Sequence, residues 1–160
     1  MENLQIFWDN GKSFNEADSV RYLFRNRKVQ VEFKLPEHTT MLRLDPGEMA
    51  KGLRIIKMIW DDGSTVKFHT DGCEVADGEF YFGGDDPQII IDSVPENTKS
   101  MEVEMEILDD KTTEKKFWNI YTEQKRAMDQ MSQELAQKKA LVDQVESSKA
   151  WKVYRAIKRV

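Results

Sequence analysis

The chain has 160 residues, of which 39% are hydrophobic and 33% charged, and a formal net charge of −5. This composition fits one soluble domain with a modest core plus an appendage, and excludes a disordered polymer. It contains no apolar run of about 18 residues and only one cysteine, Cys73, so neither a membrane-spanning helix nor an internal disulfide is expected.

The N-terminal Met1-Glu2-Asn3-Leu4 lacks the basic and apolar regions of a signal peptide, and with the cysteine usage this points to the cytoplasm. Residues 1–110 then read as short strands. Val29, Val31, Phe33 and Leu35 alternate with Gln30, Glu32 and Lys34. Val66 and Phe68 flank Lys67, and Phe80 and Phe82 flank Tyr81. Met101, Val103, Met105 and Ile107 alternate with Glu102, Glu104 and Glu106, which predicts one core face and one solvated carboxylate face. Less regular apolar runs lie at Leu4–Trp8, Val20–Phe24, Met41–Leu44, Leu53–Trp60 and Gln88–Ile91.

Turn formers separate these runs: Asp9-Asn10-Gly11, Asp45-Pro46-Gly47, Asp61-Asp62-Gly63, Asp71-Gly72, Asp77-Gly78 and Gly83-Gly84-Asp85-Asp86-Pro87. Asp and Asn bond their own backbone and Gly supplies positive φ, so each cluster has a physical reason to turn. Asp62-Gly63 is the strongest hairpin signal, joining Ile55–Trp60 to Thr65–His69. Eight or nine strands at this spacing predict a mainly β fold, an antiparallel β-sandwich or jelly roll.

From Thr112 onward there is no proline or glycine and the apolar spacing becomes helical, with Thr112 or Thr113 as expected cap. In heptad notation Tyr121, Met128, Leu135, Val142 and Lys149 fall at a, and Phe117, Gln124, Met131, Lys138 and Val145 at d, a short seam that is apolar through the middle and polar at Gln124, Lys138 and Lys149. A long amphipathic or coiled-coil helix is expected over 111–146, able to pair with a second copy or fold back through Phe117, Trp118 and Tyr121.

Charge divides at the same boundary. Residues 1–110 carry 12 basic and 23 acidic side chains, whereas 111–160 carry 12 basic and 6 acidic. The acidic body excludes general nucleic-acid binding. The tail 147–160 holds Trp151, Lys152, Tyr154, Arg155, Lys158 and Arg159 without an acid after Lys149, as expected of a docking element for an anionic membrane or a partner.

Chemistry-bearing residues are few. His69 and Cys73, four residues apart, are a conceivable nucleophile–base pair, but no oxyanion motif accompanies them, so no enzyme is expected. Zinc lacks ligands, and the acidic turns at Asp9-Asn10, Asp61-Asp62 and Asp85-Asp86 do not match the twelve-residue calcium loop, so no cofactor or metal is expected. Trp8, Tyr22, Trp60 and Tyr81 lie at strand ends or next to turns, where rings can stack on sugars; Phe24, Phe33 and Phe68 are expected in the core.

Two stretches, Ile6–Val20 and Met41–Glu48 followed by Leu53–Gly63, resemble the accessory β-sandwich module of bacterial family 2 glycosyltransferases of cell-surface polysaccharide synthesis. Ser148-Lys149-Ala150-Trp151-Lys152 resembles the Ser-x-x-Trp-basic segment that follows the coiled coil there. The chain departs from that pattern in having Gly47 after Asp45-Pro46, where leucine is the family's residue. The resemblance implies a non-catalytic module that binds carbohydrate and positions a polysaccharide-synthesising transferase, itself a separate domain or chain. The alternative is a purely structural module that oligomerises through its helix and docks its basic tail.

Overall fold

The computed structural model describes residues 2–47, 52–84, 86–148 and, in the tail, Val153, Tyr154 and Ile157. Ten strands among them form two antiparallel five-stranded sheets packed as a sandwich, followed by one long helix. The first sheet runs β2 (Ser19–Leu23), β1 (Asn3–Asp9), β4 (Met41–Asp45), β9 (Ile89–Ile91) and β6 (His69–Thr70). The second runs β3 (Lys28–Lys34), β10 (Ser100–Ile107), β5 (Gly52–Trp60), β8 (Glu79–Tyr81) and β7 (Cys73–Ala76).

The core is the set of side chains that alternation aimed inward. Leu4, Ile6, Leu42, Leu44, Ile89 and Ile91 of the first sheet are wholly buried, and so are Leu53, Met101, Val103 and Met105 of the second. Each such side chain contributes about 1.5–3 kcal/mol when removed from water. Trp8 crosses the layers to lie 5.9 Å from Phe33, centroid to centroid.

The hairpin at Asp62-Gly63 forms as expected at its tip. Gly63 takes φ +83°, Asp62 accepts from the Ser64 amide at 2.8 Å, and Trp60 donates to the Ser64 carbonyl at 2.9 Å. The return strand is shorter than Thr65–His69, however. After the Ile59–Thr65 bridge and a bond from the Val66 amide to the Met58 carbonyl the chain leaves the second sheet, and His69–Thr70 pairs with β9 in the first. Alternation reports which side of a segment is buried, and is silent about which sheet it joins.

The carboxylate face of β10 is paired rather than simply solvated. Lys57 of β5 meets Glu102 at 2.6 Å, Arg54 meets Glu106 at 3.1 Å, and Lys28 of β3 lies 3.9 Å from Glu106. The charge row expected from the sequence is thus the central strand of a cross-strand ladder.

Helix α1 spans Asp110–Ser147. Its cap is Asp109, not Thr112 or Thr113: the Asp109 carboxylate accepts from the Thr112 amide at 2.9 Å and its hydroxyl at 2.7 Å, while Thr113 donates to the Asp109 carbonyl. A carboxylate is the stronger acceptor, and these bonds hold its pKa below the usual aspartate value. The chain divides into two compact units, residues 1–118 and 119–160. The first turns of α1 therefore belong with the sandwich, because Thr113 is buried against Gly52, Lys116 pairs with Glu79, and Phe117 stacks on Tyr81 at 4.8 Å.

Candidate functional site

The outer face of the first sheet carries a polar cleft of about 620 Å³. Strand register builds it. Arg21 of β2, Gln5 of β1 and Asp45 of β4 are aligned side by side, and Ser19, Phe7 and Arg43 form the next row. A period of two sends Leu4 and Ile6 inward and these residues outward. Glu2, Glu16, Gly47 and Asp86 complete the walls.

Arg43 organises the cleft. Its guanidinium lies 4.1 Å from the centre of the Phe7 ring and 5.7 Å from that of Phe14, and donates to Asp45 at 2.8 Å. Phe7 is outward-pointing yet only 2% exposed, because this cation covers it. Burial pushes the Asp45 carboxyl above the usual aspartate value; the Arg43 bond opposes this, and the nearby Asp86 and Glu16 charges add to it.

Glu16 is delivered by a single 3-10 turn, Glu16–Asp18, whose cap Asn15 accepts from the Ala17 and Asp18 amides. Its carboxylate takes hydrogen bonds from Gln5 at 2.9 Å and Arg21 at 3.3 Å. Among the described residues, three buried polar atoms, Glu2 Oε2, Arg43 Nε and Asp45 Oδ1, have no hydrogen-bond partner.

The four rings singled out from sequence are occupied elsewhere. Trp60 is 4% exposed and part of the core, a correction to its reading as a sugar-stacking platform. Trp8 and Tyr22 pack against the same core, Trp8 on Phe33. One face of Tyr81 is covered by Phe117. The apolar payload of these rings outweighs their position beside turns.

His69 and Cys73 do not form a pair. His69 sits in the first sheet with Nδ1 2.9 Å from Asp92, while Cys73 sits in the second with its thiol directed at the Glu74 carbonyl. Among the described residues no group of three or more His, Cys, Asp or Glu side chains could hold a metal ion. Asp9 instead accepts from the Gly11, Lys12 and Ser13 amides, as a turn former does.

On the helix, every residue from Tyr121 to Ser147 is exposed, and Met128, Met131, Leu135, Val142 and Val145 stand 55–69% open. No helix of the described residues is long and apolar enough to cross a membrane. Of the basic tail, Tyr154 is exposed, whereas Trp151, Lys152, Arg155, Lys158 and Arg159 lie outside the described residues.

Searches of protein-family models, of curated proteins and of solved structures find no match to this chain. Sequence reading missed Phe7, Arg43, Asp45, Gln5 and Arg21 as a group. The available signal was charge on the outward positions of two strands, which becomes a cluster only once the strand pairing is known.

Proposed function

We propose that the sandwich is a non-catalytic saccharide-binding module, which holds its ligand in the polar cleft of the first sheet and, as the family resemblance implies, serves a transferase on another domain or chain. The observation that carries this reading is the cleft's donor and acceptor chemistry. Donors on Asn3, Gln5, Arg21 and Arg43 line it together with acceptors on Glu2, Glu16, Asp45 and Asp86. A hydroxyl both donates and accepts, so a polyol is a neutral ligand class that can serve donors and acceptors placed side by side.

Charge supports the same class. Four carboxylates against two guanidinium groups line the cleft, which disfavours phosphate and nucleic acid. Flat amide, carboxylate and guanidinium groups side by side suit the vicinal hydroxyls of a sugar ring. The guanidinium plane of Arg43, rather than an aromatic ring, would face the sugar.

The test is an amide-resolved NMR titration of the chain with a panel of neutral and amino-substituted oligosaccharides. Millimolar ligand is expected to shift Gln5, Arg43 and Asp45, and to leave Trp60 unmoved. Arg43→Lys keeps the charge but removes Nε and the plane, and is expected to weaken binding about tenfold or more, a buried charged hydrogen bond contributing about 1.5–3 kcal/mol. A flat titration across the panel would sink the reading.

A further inference from the structure

We infer, resting on the saccharide reading of the first cleft, that the sandwich holds a second saccharide site on the outer face of its other sheet. The two sites are related by an internal duplication of the fold.

The duplication is written in two motifs, each used twice. Strand β1 ends in Phe7-Trp8-Asp9-Asn10-Gly11 and β5 in Ile59-Trp60-Asp61-Asp62-Gly63, with Gly11 at φ +93° and Gly63 at +83°. Strand β4 follows Leu35-Pro36-Glu37-His38-Thr39, and β10 follows Val94-Pro95-Glu96-Asn97-Thr98. In both turns the third residue after the apolar one is left-handed, His38 at φ 63° and Asn97 at 66°. In both, the Thr amide donates to the Pro carbonyl at 3.3 Å. The turns also bind each other. Leu35 donates to the Lys99 carbonyl at 2.9 Å and Val94 to the Thr40 carbonyl at 3.0 Å, two bonds that exchange places under the duplication.

Strand order and register obey the same relation. Replacing β2, β1, β4 and β9 by β8, β5, β10 and β3 turns the order of the first sheet into that of the second. Each half thus lends one strand, β3 or β9, to the sheet of the other. In the first sheet Gln5 faces Asp45 and Phe7 faces Arg43. At the matching positions of the second, Lys57 faces Glu104 and Ile59 faces Glu102.

The second row also lies in a cleft, of about 520 Å³, which opens toward the edge strand β3. Ile59 and Glu102, the counterparts of Phe7 and Arg43, line it with Gln30, Glu32 and Ser100. Ser100 donates to Glu32 at 3.1 Å and Gln30 to Glu102 at 3.5 Å, so donors and acceptors again stand side by side around an apolar side chain. The ring of Trp60 is in the core and takes no part. Selectivity differs between the clefts. Glu102 stands where the first has Arg43, and the described lining holds the carboxylates of Glu32, Asp61 and Glu102 but no cation. That potential admits neutral or amino-substituted sugars and rejects uronic acids. Because the two outer faces look in opposite directions, one chain would bridge two saccharide segments.

The experiment follows the Ile59 methyl and Gln30 side-chain amide resonances of the full chain, beside the amides of Gln5, Arg43 and Asp45. Neutral and amino-substituted oligosaccharides are expected to shift both sets with separate saturation curves, and a uronic-acid oligosaccharide to leave Ile59 and Gln30 unmoved. Gln30→Ala, on an exposed edge position, is expected to weaken the second curve about threefold or more and leave the first unchanged. Arg43→Lys is expected to do the reverse. Shifts confined to Gln5, Arg43 and Asp45 overturn the second site and leave the first reading standing. Ile59 and Gln30 shifts that weaken with Arg43→Lys overturn it too, since they would be transmitted from the first cleft. Equal binding of the uronic acid overturns the ligand class, and a flat titration at both sets removes both readings together.

Discussion

Glu79 of β8 receives Lys116 of the helix on one carboxylate oxygen, while Arg54 of β5 donates to the other at 2.7 Å. The carboxylate side chain is 10% exposed and its two cations are about two-fifths exposed, so this is a half-buried ionic junction between helix and sheet. Glu79→Gln keeps the shape and removes the charge. Its expected cost is about 1–3 kcal/mol, below that of a fully buried pair because both cations retain solvent. Urea unfolding measures it, and Lys116→Met is expected to cost less, since Arg54 still neutralises the carboxylate.

The same junction sets a pH dependence. Hydrogen bonds from Lys116, then from Arg54, hold the Glu79 carboxyl below its ordinary value of 4.5. The unfolded chain therefore binds the proton first as pH falls. The stabilisation is complete above about pH 4.5–5 and is lost as pH falls through the lower folded value. Wild type and Glu79→Gln are expected to differ in urea midpoint at pH 6 and to converge toward pH 3. A gap that stays constant with pH would show that the charge is not the cause.

Next to this junction, Gly52 is required by space and not by backbone conformation. A β-carbon there would stand 2.6 Å from Thr113 Oγ1, 3.0 Å from its Cβ and 3.2 Å from the Leu108 Cβ. Gly52→Ala is expected to destabilise the fold by about 1–3 kcal/mol, the usual range for overpacking. Thr113→Ala removes the nearest atom, so the double variant is expected to lose less than the two single losses added together. A thermal-unfolding double-mutant cycle reads that coupling.

These contacts explain how far the sequence could be read. The alternation Met101, Val103, Met105 is a property of one strand, and all three are wholly buried. The helix is likewise a local pattern, and its start at Asp110 falls where hydrophobic period and charge both change. The Arg43 guanidinium over Phe7 depends on pairing β1 with β4, which neither strand's own pattern reveals. That Trp60 beside a turn and Phe7 on an outward position are both buried escapes the sequence for one reason. Burial of a ring is decided by what lies across from it, and that partner is distant in the chain.

Asp45 provides a pH effect of opposite sign. Burial holds its folded pKa above the ordinary 3.8, and Arg43 restrains the rise. The folded state therefore binds this proton first, so Asp45 favours folding below about pH 4, and that contribution falls as pH rises through the folded value. Arg43→Ala removes the counter-ion and also uncovers Phe7. It is expected to raise the Asp45 pKa further and to make stability decline between pH 4 and 6 more steeply than in wild type. Carboxyl-carbon NMR follows the titration directly, and urea midpoints across that range follow the stability. Adding Asp45→Asn to Arg43→Ala is expected to flatten the extra decline while leaving the acid loss from Glu79 in place. Two carboxylates on opposite sheets would then be separated by the sign of their pH dependence alone. An Asp45 that titrates at or below 3.8 in the Arg43→Ala variant would show that the cleft is too wet to penalise its charge.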